Sequence, residues 1–170
     1  TVLADDPSLT ARLPDGEGRD PVRVILDSRA RIPLKARVLV QQSEAPTIVA
    51  VTGAAPPARL EELRRAGAQT LVVNPGPRVD LGALMEALAG MEITSVLLEG
   101  GAGVHAAALA AGIVDKAAWF IAPRIIGGRE APGPVGGEGV DDPSEAVELE
   151  RIEVNRLDED LLIEGYVKKS

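Results

Sequence analysis

Residues 47–73 read TIVAVTGAAPPARLEELRRAGAQTLVV and contain one complete strand–helix–strand repeat. The two ends, residues 47–51 and 70–73, are short runs of β-branched and aliphatic residues, which is typical of strands buried in a parallel sheet. Residues 57–66 lie between them, begin with proline and repeat leucine at helical spacing, so they predict an amphipathic helix. This stretch predicts an α/β fold.

The same alternation extends in both directions from this stretch. Further apolar runs predict two more parallel strands and two more helices, the first of these helices N-capped by Asp80. Gly67 and Gly90 follow two of the helices, where C-terminal caps belong. The additional segments are the strands 22–26 and 95–98 and the helices 81–90 and 102–113.

The pattern changes after residue 115. Residues 117–126 predict a long strand, and residues 147–157 and 161–168 alternate in polarity around an acidic turn. Such alternation is typical of an antiparallel hairpin. The sequence therefore predicts a single domain with a mixed, mainly parallel sheet, flanking helices and a C-terminal antiparallel hairpin.

The composition excludes several classes of protein. The 170 residues carry a net charge of −8, which counts against proteins that bind nucleic acids or anionic membranes, since those present basic surfaces. The longest apolar run, residues 106–114, is far shorter than the roughly 18 residues of a membrane-spanning helix. No signal-peptide pattern opens the sequence. We therefore expect a soluble, cytoplasmic protein with neither a nucleic-acid nor a membrane partner.

The chain contains no cysteine and a single histidine, His105. The first fact excludes disulfides, thiolate nucleophiles and zinc sites with cysteine ligands, and the second excludes a HExxH metal site. We expect no metal site. His105 falls one turn into an apolar helix, where we expect an imidazole that is packed or bonded to the backbone rather than an acid–base catalyst.

The segment 99–107, EGGAGVHAA, joins a predicted strand to a predicted helix. Residues 101–106 fit the loose G-x-G-x-x-A pattern, in which glycines let backbone N–H groups approach a pyrophosphate at a helix N-terminus. The alternative is a tight turn that needs glycine only for its backbone angles. Glu99 ends the predicted strand, where it could orient a hydroxyl or stabilise a cationic intermediate; the alternative is a solvated turn residue.

Two other polar segments are candidates for binding. Residues 27–31, DSRAR, follow a predicted strand, and Ser28, Arg29 and Arg31 suit a phosphate monoester such as the 2′-phosphate of NADPH. A polar turn is the alternative there. Residues 5–12, DDPSLTAR, combine paired acids with a leucine and an arginine; the alternatives are a helix N-cap and a solvated surface charge.

Taken together and in order, several segments resemble the pyrimidine reductase family of riboflavin biosynthesis. This family occurs as the C-terminal half of the bifunctional bacterial deaminase–reductase and as a stand-alone archaeal and fungal enzyme. The resemblance covers essentially the whole chain, and the opening segment together with the Leu-Glu-Gly-Gly motif is specific to the family. The matching segments are 1–12, 24–29, 97–101, 114–115, 121–128, and 130–132 with 136–139.

The resemblance implies a dihydrofolate-reductase-like fold, NADPH as hydride donor and a homodimer. It implies reduction of 5-amino-6-(5-phosphoribosylamino)uracil to its ribitylamino product, with Glu99 as the catalytic residue at the ribosyl group. The substrate-binding positions are Leu9, Arg12 and Glu99. The cofactor-binding positions are Thr1, Asp5, Ser28, Gly101, Ala102, Gly103, Val104, His105, Ala106 and Ala107.

The sequence departs from the family pattern at its start. Family members carry a strand and a helix before the position of Thr1, and the bifunctional members carry a zinc deaminase upstream. We therefore expect residues 1–170 to be one reductase domain without these parts. Two alternatives stay open: the archaeal-type substrate, 2,5-diamino-6-ribosylamino-4(3H)-pyrimidinone 5′-phosphate, and a truncated, non-catalytic module for nucleotide binding or dimerisation.

Overall fold

The chain divides into two compact units, and each unit contains one three-stranded sheet. The first unit covers residues 1–96 and the second covers residues 97–170. No helix in the described part of the chain is long and apolar enough to cross a membrane. The computed structural model describes residues 2–13, 16, 18–128, 131 and 133–169.

The first unit is built on a parallel sheet. Its strands pair in the order β1-β2-β3. Parallel pairing places the carboxyl ends of all three strands at one edge of the sheet, which is where ligands of open α/β sheets bind. In chain order the elements are α1 (Val2–Asp5), β1 (Arg23–Leu26), α2 (Arg37–Val40), β2 (Thr47–Thr52), α3 (Pro57–Arg65), β3 (Gln69–Asn74) and α4 (Leu81–Ala89).

The central strand β2 lies at the middle of the core of this unit. All six of its residues are buried, as is usual for a parallel strand that is covered on both faces. Leu63 of α3 and Leu84 and Leu88 of α4 are at most 1% exposed. Truncation of such a leucine to alanine costs about 2–5 kcal/mol, so this aliphatic core holds the strand ends firmly in position.

The helix ends follow the local sequence. α3 begins after Pro56 with a second proline, and α4 begins after Asp80, whose carboxylate accepts a hydrogen bond from the N–H of Ala83 at 2.9 Å. Gly67 follows α3 at a φ of +90°, a conformation that favours glycine. Gly90 caps α4 in the ordinary right-handed conformation. The predicted starts of both helices are confirmed.

The second unit contains one helix and an antiparallel sheet. The strands pair in the order β4-β6-β5. β5 and β6 form the predicted hairpin, with Asp158 at a φ of +53° in its turn. The elements are α5 (Ala102–Ala110), β4 (Lys116–Ile121), a 3₁₀ turn (Pro143–Glu145), β5 (Leu149–Leu157) and β6 (Asp160–Val167).

Strand β4 is shorter than the sequence predicts. It ends at Ile121 instead of continuing to residue 126. Pro123 lies just beyond this end, and proline has no N–H group to donate to a sheet. The apolar residues that follow, Ile125 and Ile126, are almost fully exposed. Their hydrophobicity extended the predicted strand beyond the point where the backbone supports one.

The predicted strand at residues 95–98 is wrong. Residues 93–100 have no regular secondary structure, and Leu97 is 80% exposed. A strand needs a neighbour that supplies ladder hydrogen bonds, and neither sheet of the described residues pairs with this segment. The mixed α/β class, with parallel strands first and an antiparallel hairpin last, is confirmed, although the strands divide equally between two sheets.

Candidate active site

The N-terminus of α5 presents unsatisfied backbone donors. Gly101 is the N-cap and offers no side chain to the helix. The N–H groups of Val104 and His105 donate to the carbonyl of Gly101 at 2.8 and 3.3 Å. The N–H groups of Ala102 and Gly103 precede them and have no acceptor within the helix. These donors, together with the positive end of the helix dipole, suit a phosphate group.

Glycine is required on both sides of this helix start. A Cβ at Gly100 would lie 3.0 Å from the Cβ of Val104. A Cβ at Gly136 would lie 3.2 Å from the carbonyl carbon of Ala102, and the N–H of Gly136 donates to the carbonyl oxygen of Ala102 at 2.9 Å. The first turn of α5 is therefore packed closely between two glycine backbones, at Gly100 and Gly136, and we call this arrangement the glycine cradle.

The glycine-rich loop at residues 133–139 is a part of this arrangement that the sequence analysis missed. In the sequence, part of this loop only matches the family pattern, whereas in the structure the loop packs against α5. Gly137 has a φ of +86°, and a Cβ at this position would lie 3.3 Å from that of Ala106. The adjacent pair of glycines is the one local signal that could have indicated a close backbone approach.

His105 connects the two sides of the cradle. Its Nδ1 lies 2.8 Å from the carbonyl oxygen of Pro134, and its Nε2 lies 3.3 Å from that of Leu98. Carbonyl oxygens only accept hydrogen bonds, so a ring N–H of His105 is the donor in these contacts. The expectation of a backbone-bonded imidazole is confirmed, and the geometry gives His105 a positioning role.

Glu99 lies directly before the glycine cradle. Its side chain is exposed and forms no hydrogen bond or ion pair with any described residue. Glu99 does not end a strand, contrary to the sequence prediction, because residues 93–100 are irregular. The structure therefore places a carboxylate without a partner among the described residues two positions before the N-cap of α5.

Ser28 lies at the carboxyl edge of the sheet in the first unit, two residues after the end of β1. Its hydroxyl oxygen accepts a hydrogen bond from the N–H of Val79 at 3.2 Å. Its carbonyl accepts from the N–H and the hydroxyl of Thr52, at 3.1 and 3.0 Å. Ser28 thus connects the end of β1 to the end of β2 and to the loop between β3 and α4.

The loop after Ser28 is fixed from two sides. The buried carboxylate of Asp27 accepts from the N–H of Ile32 at 2.7 Å through Oδ2, while Oδ1 has no hydrogen-bond partner among the described residues and lies 3.9 Å from Nε of Arg31. From α3, Arg59 donates to the carbonyl of Ala30 at 3.0 Å and to that of Ile32. The guanidinium of Arg31 stays 70% exposed on this rigid loop.

The opening segment is held by Asp6, one of its paired acids, through a contact with α2 that the sequence did not predict. Asp6 accepts a hydrogen bond from the N–H of Arg37, the first residue of α2, at 2.8 Å and forms an ion pair with its side chain at 3.6 Å. Gln41 donates to the carbonyl of Ser8 at 2.7 Å. Asp6 thus bonds the first N–H group of a helix that is distant in sequence, although the N-cap residue of that helix is Ala36.

The remaining predicted residues of this segment have different environments. Asp5 ends α1 and is exposed. Leu9 packs partly buried against the hydrophobic core at a φ of +53°, and Arg12 is exposed. Thr1 lies outside the described residues. The described part of the chain contains no group of three or more histidine, aspartate or glutamate side chains that could hold a metal ion.

Comparison with known proteins assigns the family. The family model for the RibD C-terminal domain matches residues 1–163. The 2,5-diamino-6-ribosylamino-4(3H)-pyrimidinone 5′-phosphate reductase of Methanothermobacter thermautotrophicus is 46% identical over 169 residues, which are 99% of this chain and 76% of that protein. The riboflavin biosynthesis protein RibD of Actinobacillus pleuropneumoniae is 38% identical over 98% of this chain and 44% of that protein.

The structural comparison agrees with the sequence comparison. The structure of RibD from Acinetobacter baumannii superposes with a TM-score of 0.81 at 27% identity, covering 99% of this chain and 45% of that protein. The chain thus spans less than half of these bacterial proteins and about three quarters of the archaeal one. From the matched model, the identities and the shared fold, the chain belongs to the RibD C-terminal domain family.

Proposed function

We propose that this chain is an NADPH-dependent reductase of riboflavin biosynthesis that acts on a phosphoribosylamino-pyrimidine. The observation that carries the proposal is the pairing of a free carboxylate, Glu99, with the glycine-lined N-terminus of α5. The relatives are named as reductases and as riboflavin biosynthesis proteins. A reductase of this family uses a nicotinamide cofactor, and the two arginines after β1, Arg29 and Arg31, suit the extra phosphate of NADPH.

Two separate groups of residues would bind the phosphates of NADPH. The segment Gly101–Ala107 would hold the pyrophosphate at the start of α5, through the N–H groups of Ala102 and Gly103, which have no acceptor within the helix. Ser28, Arg29 and Arg31 would hold the 2′-phosphate, since guanidinium groups bind phosphate in a bidentate manner. Asp5 and Thr1 are further proposed cofactor positions. When bound, NADPH supplies the hydride.

The chemistry that remains for the protein is orientation and charge stabilisation. Opening of the aminoriboside gives a Schiff base at C1′ of the substrate, and its protonated form concentrates positive charge at the C=N bond. The carboxylate of Glu99 would stabilise this cation, while Leu9 and Arg12 would position the phosphoribosyl group. This reaction needs no nucleophile and no acid–base histidine, in keeping with the positioning role of His105.

Two pyrimidines are candidates for the substrate. The first is 5-amino-6-(5-phosphoribosylamino)uracil, in which the 2-amino group has already been removed. The second is 2,5-diamino-6-ribosylamino-4(3H)-pyrimidinone 5′-phosphate. It is favoured by the identity of 46% to the archaeal protein that is named as the reductase of this compound.

We also propose that the protein acts as a homodimer in the cytoplasm. The support for the dimer is the apolar face of the antiparallel sheet, on which Trp119, Ile163 and Val154 are direct neighbours across three strands. Val154 is 61% exposed and Ile152 is 57% exposed. A zinc deaminase encoded upstream in the same polypeptide is a further proposed partner, because the bacterial relatives are more than twice as long as the matched region.

Oxidation of NADPH by the full-length protein tests the proposed function. The loss of reduced nicotinamide absorbance is followed with each of the two pyrimidines in parallel. We expect rapid oxidation with one of them and none without a pyrimidine. Binding of NADPH without oxidation in the presence of either pyrimidine would contradict the proposal and support the non-catalytic module.

A further inference from the structure

Arg78 is fixed beside Ser28 by its own backbone surroundings. Its carbonyl accepts a hydrogen bond from the side-chain amide of Asn74 at 2.9 Å. The N–H of the next residue, Val79, donates to the hydroxyl of Ser28 at 3.2 Å, and the N–H of Asp80 donates to Oδ1 of Asn74 at 3.0 Å. The backbone from the carbonyl of Arg78 to Asp80 is therefore attached to Asn74 and Ser28, at the carboxyl edge of the parallel sheet.

The side chain of Arg78 is not used to hold the fold. It is exposed, and no carboxylate of a described residue lies within 4.0 Å of its guanidinium nitrogens. The arginines of α3 differ, because Arg59, Arg64 and Arg65 all form ion pairs with Glu61 or Glu62. In a chain of net charge −8, an arginine without a carboxylate partner at the ligand-binding edge of a sheet is available for an anion.

The charged residues near Arg78 do not neutralise its guanidinium group. Arg31 lies 3.9 Å from the buried carboxylate of Asp27, so part of its charge is offset. Asp80 lies two residues after Arg78, and its Oδ1 accepts a hydrogen bond from the N–H of Ala83 at the start of α4. Arg29 is exposed and, like Arg78, has no carboxylate partner among the described residues.

We infer that Arg78 is a further specificity-determining residue, which contacts the 2′-phosphate of NADPH together with Ser28 and Arg29. The inference rests on the proposed function and adds a residue to it that neither the motif nor the family pattern indicates. Because the backbone of Arg78 and that of the Ser28 loop are both hydrogen-bonded in place, only the side chains need to be ordered when the phosphate binds, which favours affinity. Arg78 would therefore strengthen the binding of NADPH and not that of NADH, since NADH has no phosphate at this position.

Calorimetric titration of the full-length protein with NADPH and NADH tests the inference. We expect Arg78→Gln to raise the Kd for NADPH by about tenfold, which corresponds to ~1.4 kcal/mol, and to leave the Kd for NADH unchanged. Arg65→Gln is the matched control, because Arg65 is an exposed arginine of the same unit that is paired with Glu61 on α3. It should change neither constant.

The outcomes separate this inference from the proposed function. If the wild-type protein does not prefer NADPH to NADH, or binds neither, the NADPH proposal fails and the inference fails with it. If the wild-type protein prefers NADPH and Arg78→Gln retains the full preference, the inference alone is overturned. Arg78→Lys keeps the charge but not the bidentate geometry and should give an intermediate preference. If Arg78→Gln does not fold, an unchanged preference in Arg78→Lys overturns the inference.

Discussion

At the scale of the residue, Glu99 carries the chemistry that we propose. An exposed carboxylate without a partner among the described residues is ordinary on a protein surface. What distinguishes Glu99 is its position, one residue before the glycine at which a Cβ would touch Val104. A carboxylate there costs no desolvation in the free protein and becomes shielded from water only when ligands fill the space around it.

Replacement of Glu99 by glutamine in the full-length protein preserves the shape of the side chain and removes its charge. We expect kcat to fall by about 10²-fold, similar to the removal of one preorganised electrostatic group. The effect should fall on kcat because the positive charge at C1′ is greatest during the reduction. The Kd for NADPH should not change, since the proposed phosphate contacts come from backbone N–H groups.

The control for this variant is Glu145→Gln, an exposed glutamate of the 3₁₀ turn in the same unit. It should retain full turnover. Wild-type turnover in Glu99→Gln, or a variant that no longer binds NADPH, would reduce Glu99 to a solvated turn residue.

Individual residues are predictable from sequence where the decisive contact is local. Asp80 is an example, since an N-cap bonds a residue three positions ahead. The hydrogen bond from the N–H of Val79 to Ser28 and the contact between Asp6 and Arg37 connect residues that are distant in sequence. Such contacts depend on how the strands pack, so the polar character of Ser28 was visible in the sequence and its partner was not.

At the scale of the element, the start of α5 depends on its contact with the loop at residues 133–139. Gly136→Ala places a Cβ 3.2 Å from a carbonyl carbon and 3.3 Å from the Cβ of Ala102, and neither of these atoms can rotate away. We expect the loop to shift at a cost of about 1–3 kcal/mol. Both the melting temperature and the affinity for NADPH should fall, because the cradle at the start of α5 is disturbed.

Gly133→Ala is the matched variant in the same loop. The nearest atom to a Cβ at Gly133 is the carbonyl oxygen of Val135 at 3.8 Å, an ordinary contact. Replacement of glycine by alanine at an unstrained position stabilises a protein by about 0.4–1 kcal/mol, so this variant should be as stable as the wild type or slightly more so. Equal behaviour of the two variants in thermal melting and calorimetry would show that the approach of Gly136 to α5 is not important.

Elements with a long periodic pattern were predictable, and those that depend on a neighbour were not. The helices α3 and α4 combine leucine spacing with caps, and both appear with nearly the predicted bounds. The helices α1 and α2 have four residues each, too few for a periodic signal. Residues 95–98 have a strand-like composition, but ladder bonds require a partner strand, which a local pattern cannot supply.

At the scale of the whole molecule, the antiparallel sheet has an apolar face that is consistent with self-association. Ile152 and Val154 are more than half exposed on this face, and large apolar patches on a protein surface are typical of interfaces. We expect light scattering at micromolar concentration to give the mass of a dimer. Val154→Glu should shift this mass toward that of the monomer, because a charge would be buried without a partner.

The control for the dimer is Val147→Glu. Val147 is also half exposed but precedes β5 and therefore lies outside the paired strands. It should leave the mass unchanged. A monomeric mass for the wild-type protein would refute the proposed dimer without affecting the proposed reaction.

The central claim is that the protein reduces C1′ of a ring-opened phosphoribosylamino-pyrimidine with NADPH. The most direct test uses NADPH in which both hydrogens at C4 are deuterium, with each pyrimidine supplied separately and the product analysed by mass spectrometry. We expect one deuterium atom in the ribityl side chain, at C1′, and an equal amount of oxidised cofactor. Product without deuterium at C1′, or oxidised cofactor without a ribitylamino product, would contradict the central claim.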